Sequence, residues 1–437
     1  MSSDRRSQSG SSMFPSSGSG DKNPATRRPL SGASGASWKY TFSSLANRDF
    51  FYLWLGMLAM FSGIQIQMIA RSYLTYELTS SPLILGVVNS GFAIPLLGFS
   101  LFGGAVADRL ERKYIIQVGQ LALTVLAFLV GLAILMNVIS WYHLFFASIL
   151  QGTLFAFVMP ARQAIIGPIV GKENVSNAMA LNASAMSGTT LMAPAIAGWA
   201  YAYMGAHNVY FLIASLALIG FLLMGKVHKT GTTANKSSSP VIRDIGEGLV
   251  YVWRSPIVLV LILMGLATAL LAMPFRFMLP VFVVDVYRLG PDAMGLLVSI
   301  MGGGSLAGSL FIASVRKSRR GMLLILGSFI SGITLLLLAL IPIYAAAAFL
   351  MVFLGIGDAA RRTLNQSLIM EEVEDQYRGR VMSVFMINFG LMPLGVLPAG
   401  AIAEAMGGQF AVGLLALLLL GVTALIFITQ KRLREMP

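Results

Sequence analysis

Residues 321–342 read GMLLILGSFISGITLLLLALIP, a run of apolar and small side chains without one charged residue. A helix rises about 1.5 Å per residue, so about 20 such residues cross the roughly 30 Å of hydrocarbon in a membrane. Eleven more stretches have similar length and a largely apolar character: 50–76, 82–107, 114–137, 141–166, 176–203, 207–226, 256–284, 291–315, 345–370, 380–405 and 409–430. We therefore expect an all-α integral membrane protein with twelve transmembrane helices.

The composition of the whole chain agrees with a lipid environment. Of 437 residues, 56% are hydrophobic and 11% are charged, and the mean hydropathy is +0.77. A soluble globule of this size needs more polar surface than these residues supply. The composition therefore excludes a soluble protein and makes lipid the solvent for most of the chain.

The positive charge follows the predicted topology. The formal net charge is +13, from 31 Lys and Arg against 18 Asp and Glu. All but Arg71, Arg276 and Arg288 fall on one side of the predicted topology, and the positive-inside rule assigns that side to the cytoplasm. We therefore expect a multi-pass protein of the plasma membrane with both termini in the cytoplasm. Topology and anionic lipid headgroups account for the basic charge, so no nucleic-acid partner is expected.

Neither the N-terminal region nor the content of cysteine and histidine indicates further chemistry. Residues 1–48 are rich in Ser, Gly and Pro, so they predict a disordered cytoplasmic tail without a cleavable signal peptide. The chain has no cysteine, which excludes disulfides and thiolate metal sites. Its three histidines, His143, His207 and His228, are scattered among different loops. We therefore expect no metal site, no cofactor and no enzyme activity.

The two halves of the chain repeat a short motif. Pro-Ala-Arg-Gln-Ala at 160–164 lies 200 residues before Ala-Arg-Arg-Thr-Leu at 360–364, and each follows an apolar stretch and precedes a polar loop. The repeat predicts two pseudo-symmetric six-helix bundles, with a cavity between them that can open to alternate sides. The predicted division is a tail (1–48), a first bundle (49–226), a cytoplasmic linker with an amphipathic helix (227–254), a second bundle (255–430) and a short cytoplasmic tail (431–437).

The loop after the second predicted span carries charges of both signs. Residues 104–113 read Gly-Ala-Val-Ala-Asp-Arg-Leu-Glu-Arg-Lys and resemble the signature loop of the major facilitator superfamily, Gly-x-x-x-Asp-Arg-x-Gly-Arg-Lys. Glu111 stands where that family has glycine. The resemblance implies a conformational switch loop that holds the two bundles together on the cytoplasmic side in one conformation. Its candidate residues are Gly104, Asp108, Arg109, Arg112 and Lys113.

Three further segments are similar to the efflux branch of this family, which includes enterobactin exporters and macrolide-efflux proteins: residues 47–50, 76–82 and 378–383. The resemblance implies a monomeric secondary active transporter that exports a small organic or amphiphilic compound by alternating access, with proton antiport as its energy source. Relatives with the same helices move substrates inward or between leaflets, so uptake and lysolipid flipping are alternatives. A membrane scaffold or sensor that transports nothing is the third alternative.

Polar side chains inside the predicted spans mark candidate sites, since a central charge costs about 2.5–3.5 kcal/mol on insertion scales. Asp358 lies three and four residues before Arg361 and Arg362, so the three share a helix face and predict either an ion pair or a substrate or proton site. Arg71 and Arg276 lie on the first helices of the two halves, which suggests one shared cavity for anionic or carbonyl-bearing substrates. The candidate substrate or proton site comprises Gln65, Gln67, Arg71, Asn89, Arg276, Asp358, Arg361, Arg362 and Asn365.

Overall fold

A computed structural model describes residues 42–171, 173–228, 241–314 and 319–436. Within these ranges the chain is built from helices, without a β-strand, and from Phe42 onward it forms one compact unit. Most of the predicted tail at 1–48 and residues 229–240 of the predicted linker lie outside the described residues. The predicted all-α membrane architecture is confirmed.

The first half of the chain forms six long helices that begin and end within four residues of the predicted limits. They are α1 (Arg48–Thr79), α2 (Pro82–Arg109), α3 (Arg112–Leu135), α4 (Trp141–Val170), α5 (Val175–Met204) and α6 (Ala206–Gly225). The turn between α1 and α2 is short because Ser80 ends α1 with a left-handed φ of 47°. Ser81 then caps α2, since its hydroxyl accepts the Ile84 N–H at 3.2 Å.

The described part of the second half begins with the amphipathic helix predicted in the linker. The helices are α7 (Val241–Arg254), α8 (Pro256–Leu271), α9 (Pro274–Val281), α10 (Pro291–Ser314), α11 (Arg320–Leu340), α12 (Tyr344–Glu372), α13 (Arg378–Leu391), α14 (Val396–Met406), α15 (Gly408–Thr429) and α16 (Lys431–Glu435). Tyr251 of α7 stacks on Tyr377, with ring centroids 4.6 Å apart, and Glu247 pairs with Arg380 at 2.9 Å. These contacts hold α7 against the start of α13.

Ten helical segments among the described residues are long and apolar enough to cross a membrane. Two further predicted spans are helical, but neither is a single helix that is both long and strongly apolar. One is α5, which has 30 residues but carries several Asn, Ser and Thr side chains. The other is the pair α13 and α14, divided by a 3₁₀ turn at Met392–Gly395. With these two, the helices are consistent with the twelve predicted crossings.

The seventh span is broken between α8 and α9. The regular ladder ends where the Thr268 carbonyl accepts the N–H groups of both Ala272, at 2.9 Å, and Met273, at 3.3 Å. Pro274 then starts α9, because proline lacks the N–H that a continuing helix requires. Arg276 follows two residues later, so the break and not the axis of α8 sets the position of this arginine.

The two halves pack closely at the end of the molecule where α1 meets α2, called here the closed end and marked by residues 79–82. At this end α5 packs along α10, and α2 packs along α14. A Cβ added at Gly295 would lie 2.3 Å from the Pro194 carbonyl oxygen, and one added at Gly198 would lie 2.3 Å from that of Pro291. Only glycine allows this approach of the two backbones.

Substitution of Gly295 by leucine should force α5 and α10 apart at the closed end. Overpacking of a close contact costs about 1–3 kcal/mol, so we expect a neighbouring buried thiol, introduced as Ser299→Cys, to react with a maleimide at least about fivefold faster. Ser299 is 7% exposed and the natural chain has no cysteine, so the labelling of purified protein in detergent reports this position alone.

Gly421→Leu provides the matched control for this experiment, because nothing lies within 4 Å of a Cβ added at Gly421. Equal labelling rates with Gly295→Leu and Gly421→Leu would contradict the close packing of the two halves.

Candidate substrate site, switch loop and latch

The second half of the chain encloses a cavity of about 190 Å³ between α8, α9, α11, α12 and α13. Five of the predicted site residues line it: Arg276, Asp358, Arg361, Arg362 and Asn365. Apolar side chains, among them Met264, Leu324 and Phe385, form the rest of the wall. The structure therefore brings together the predicted residues of the seventh and tenth spans.

Asp358 is the negative centre of this cavity. Its side chain is buried, and its two carboxylate oxygens contact Arg361, at 3.5 Å, and Arg362. The ion pair predicted from the i, i+3 and i, i+4 spacing is therefore present. Arg362 keeps 51% of its side chain exposed, so the ion pair lies at the border between the cavity and solvent-accessible space.

Several polar atoms of the cavity have no hydrogen-bond partner. The Nε of Arg361 donates to the Gly357 carbonyl at 3.2 Å, but its Nη1 is buried and unpaired. The Nε and Nη2 of Arg276 and the Oδ1 of Asn365 are also buried and unpaired. Buried polar groups are nearly always satisfied, so these atoms indicate a place where a ligand or water binds.

The predicted polar residues of the first half form a separate hydrogen-bond network. Arg71 donates to the Gln151 Oε1 at 2.9 Å and to the Asn89 Oδ1 at 3.2 Å, and Gln151 donates to the Gln67 Oε1 at 2.7 Å. Arg71 is not among the residues that line the cavity of Arg276. The structure therefore does not support the hypothesis that Arg71 and Arg276 face one cavity, because the carbonyl oxygens of two amide side chains already hold the Arg71 guanidinium within the first half.

Gln151 is a functional candidate that the sequence analysis missed, although its position inside an apolar span gave the same signal as Gln67. With Gln67 and Gln120 it lines a smaller cavity of about 30 Å³. Both side-chain polar atoms of Gln120 are buried and unpaired, as is the Nε2 of Gln65. A space of this size and polarity accommodates a buried water molecule.

The predicted switch loop spans the end of α2 and the start of α3. Gly104, Asp108 and Arg109 lie in the last turns of α2, and Arg109 is exposed. The side chain of Asp108 is not among those described. Glu111, which replaces the glycine of the family signature, is the residue before α3, with extended backbone dihedrals that any residue adopts.

The two cations at the start of α3 bind backbone carbonyls of the first half. Arg112 donates to the Ala164 carbonyl at 2.9 Å, near the end of α4. Lys113 donates to the carbonyls of Gly225, at 3.1 Å, and Val227, at 2.7 Å, at the end of α6. The Ala164 carbonyl lacks its helical donor because Pro168 has no N–H, and the last carbonyls of a helix are unpaired, so cations near both are favourable. In this conformation the loop therefore fastens α3 to α4 and α6.

Two carboxylates of the second half accept hydrogen bonds from the first half at the closed end. The Tyr76 hydroxyl donates to Asp285, and the Ser81 hydroxyl donates to Glu404 at 2.8 Å. Glu404 also accepts the Leu83 N–H at 3.3 Å. We call Tyr76, Ser81, Asp285 and Glu404 the latch. This pairing is not predictable from the sequence, because residues more than 200 positions apart show no sign of contact there.

The two halves pack through glycine contacts and are joined by the latch at one end. A cavity lined by charged and apolar side chains lies between membrane-spanning helices. These features are typical of a membrane transporter. The family profile of the Major Facilitator Superfamily matches residues 53–396. The chain therefore belongs to the Major Facilitator Superfamily, as the signature loop predicted.

Similar proteins include three with names that describe efflux. The chain is 25% identical over 375 residues to macrolide efflux protein A of Streptococcus pyogenes, covering 82% of this chain and 90% of that protein. It is 26% identical over 390 residues to the multidrug efflux pump Tap of Mycolicibacterium fortuitum (86% and 94%). It is 23% identical over 396 residues to the enterobactin exporter EntS of Escherichia coli O81 (88% and 90%). The predicted resemblance to the efflux branch is confirmed.

Among solved structures, the nucleoside transporter NupG has the same fold. Its TM-score is 0.71 at 14% sequence identity, over 88% of this chain and 99% of that chain. This likeness confirms the predicted transporter fold.

Substitution Arg71→Gln should destabilise the first half, because a shorter neutral amide does not bridge Gln151 and Asn89. Hydrogen bonds to charged groups contribute about 1.5–3 kcal/mol, so we expect a clear drop in the thermal unfolding midpoint of the detergent-purified protein. Arg288→Gln removes the same charge from an exposed loop and serves as the control. If both variants unfold at the wild-type midpoint, the network does not stabilise the first half.

Proposed function

We propose that this transporter exports a small organic or amphiphilic compound across the plasma membrane by alternating access, as a monomer with both termini in the cytoplasm. The observation that carries the proposal is the contrast between the latch, which joins the halves at the closed end, and Arg362, which is half exposed at the cavity. The distribution of Lys and Arg supports an orientation with the closed end outside and the exposed side of Arg362 toward the cytoplasm. An exporter loads its substrate in such a conformation.

The direction of transport is supported by the relatives. Three of them are named for the efflux of macrolides, the efflux of multiple drugs and the export of enterobactin. The three alignments cover 90%, 94% and 90% of those proteins, so the likeness extends over nearly their whole length. The names of these relatives therefore support export as the direction of transport.

The switch loop supplies the change of contacts that alternating access requires. In the loading conformation Arg112 and Lys113 bind carbonyls of the first half. When the latch opens and the cytoplasmic ends of the halves approach, the charges of this loop become the groups that hold those ends together. Two alternative sets of polar contacts, one at each end, thus stabilise the two conformations.

Flux in proteoliposomes tests the export function. We expect saturable counterflow of at least one compound from a panel of siderophores, macrolides, dyes and lysolipids, and faster net flux when a pH gradient is imposed. Transfer of lysolipids between leaflets or flux only in the inward direction would favour the flippase or uptake alternatives. Absence of flux for every compound with folded protein would contradict the proposal and favour a scaffold or sensor.

Asp358 is the proposed proton-coupling group, because it is a buried carboxylate at the border of the cavity. Substitution Asp358→Asn should abolish the acceleration of flux by a pH gradient while leaving substrate exchange in place, since an amide does not take up and release a proton. Asp292→Asn, at an exposed carboxylate of the closed end, serves as the control and should keep full gradient dependence. Gradient-dependent flux through Asp358→Asn would exclude Asp358 as the coupling group.

A further inference from the structure

Building on the proposed export function, we propose that the cavity binds the anionic end of an amphipathic organic molecule, a carboxylate or similar oxyanion on an apolar body. The site consists of Arg276, Arg361 and Asn365, with Asp358 and Arg362 beside them. Arg276 and Arg361 hold the anion, and the apolar wall holds the adjoining part of the ligand.

The charge of the cavity favours an anion. Three guanidinium groups line it against one carboxylate, so two positive charges lack a counter-charge within the lining. Asp358 contacts Arg361 and Arg362, whereas Arg276 has no ion-pair partner among the described residues. An uncompensated charge in surroundings of low dielectric constant is costly, and a bound anion removes that cost. A neutral or cationic ligand would leave it in place or increase it.

The geometry of the unpaired donors matches the two oxygens of a carboxylate. The Nε and Nη2 of Arg276 form one edge of its guanidinium group, and both are buried without a partner. Two parallel N–H groups of one such edge bind a carboxylate in a bidentate manner, which a single ammonium or amide does not. The Nη1 of Arg361 adds a third unpaired donor.

The unpaired acceptor of the site predicts a hydrogen-bond donor on the ligand. The Oδ1 of Asn365 is buried without a partner, and Asn365 is 4% exposed. Asn365 lies one helical turn beyond Arg361 on α12, so both side chains face the same side of the helix. A hydroxyl or N–H close to the anionic group of the ligand would satisfy this acceptor.

The size and wall of the cavity indicate what adjoins the anion. Its volume of about 190 Å³ is below the roughly 300–1,000 Å³ of pockets that enclose a whole drug-sized ligand. Met264, Leu324 and Phe385 are among the apolar side chains of its lining. The cavity therefore accommodates a charged group and the first rings or methylenes of an apolar body, and a longer body extends beyond it.

Competition between matched acids and amides tests this inference. The full-length protein is placed in nanodiscs of zwitterionic phosphatidylcholine, and the binding of radiolabelled benzoate, 2-naphthoate and dodecanoate is measured against the corresponding unlabelled amides. We expect saturable binding of at least one carboxylate, with its amide at least about tenfold weaker, because hydrogen bonds to charged groups are about twice as strong as neutral ones and the amide leaves the charge unpaired. Equal competition by acid and amide, or no saturable binding of any of the three acids, would overturn the proposal.

Variants assign the binding to the cavity. Arg276→Gln should weaken carboxylate binding at least about tenfold, Arg276→Lys should recover part of it, and Arg288→Gln should leave it unchanged. Asp358→Asn should instead strengthen binding, because it removes the negative charge that competes for the arginines. A purely structural role of Arg276 would make both cavity variants weaker, so opposite effects at positions 276 and 358 support the electrostatic account. Wild-type affinity in Arg276→Gln, with the protein eluting as a folded monodisperse species, would overturn it.

A second arm separates a lipid headgroup from a free organic anion as the natural source of this chemistry. Nanodiscs that also contain phosphatidylglycerol should bind the carboxylate as tightly as before if the ligand is a free anion, and more weakly if the lipid phosphate occupies the same arginines. The comparison of acid with amide establishes the anion site, this arm decides only its natural ligand, and the flux assay is independent of both. Carboxylate binding without flux of any compound would therefore support the anion site and contradict the export function. Flux without a preference for carboxylates would support transport and contradict the anion site.

Discussion

Lipid offers no hydrogen bonds, and this constraint determines where the polar side chains of the chain lie. In the first half, the amide oxygens of Gln151 and Asn89 satisfy two donors of the Arg71 guanidinium, and Gln67 extends the network. Buried donors without a partner remain in both halves, on Arg71 and Arg162 in the first and on Arg276 in the second, where Asp358 serves two other arginines. The network of the first half joins three helices, whereas the unpaired donors of Arg276 in the second half belong to a residue that lines a cavity.

The broken seventh span explains one difference between the two halves, which share a short repeated motif. The first span is one uninterrupted helix, α1, whereas the seventh divides at Pro274 into α8 and α9. Arg71 and Arg276 therefore lie on the first spans of the two halves but in different surroundings. Arg71 meets amide side chains, and Arg276 meets the cavity on α12.

Movement between two conformations needs contacts that are close but separable, and the interface has this character. At Gly198 and Gly295 the backbones touch without interlocking side chains. The latch adds a few hydrogen bonds from hydroxyl groups to carboxylates, each of modest net free energy. A larger apolar interface would fix the halves in one position, whereas contacts of this kind allow them to part and rejoin.

The sequence predicted the transmembrane fold closely, because helix length and hydropathy depend on local composition. It also predicted the ion pair of Asp358, since the partners lie within one helical turn of each other. It did not predict the latch, because Tyr76 and Asp285 are 209 residues apart and each alone is an ordinary side chain near a helix end. Nor did it predict that Arg71 and Arg276 lie in different surroundings, since the spacing of residues along the chain does not reveal the break at Pro274.

Cross-linking of the closed end tests most directly that transport depends on its opening. Cysteines at Ser81→Cys and Glu404→Cys would be the only thiols in the chain, and a short bifunctional methanethiosulfonate reagent joins them across the latch through two reducible disulfides. The account predicts that cross-linking stops substrate flux in proteoliposomes, that reduction restores it, and that each single-cysteine variant treated with the reagent keeps transporting. Undiminished flux through the cross-linked protein would contradict alternating access through this end.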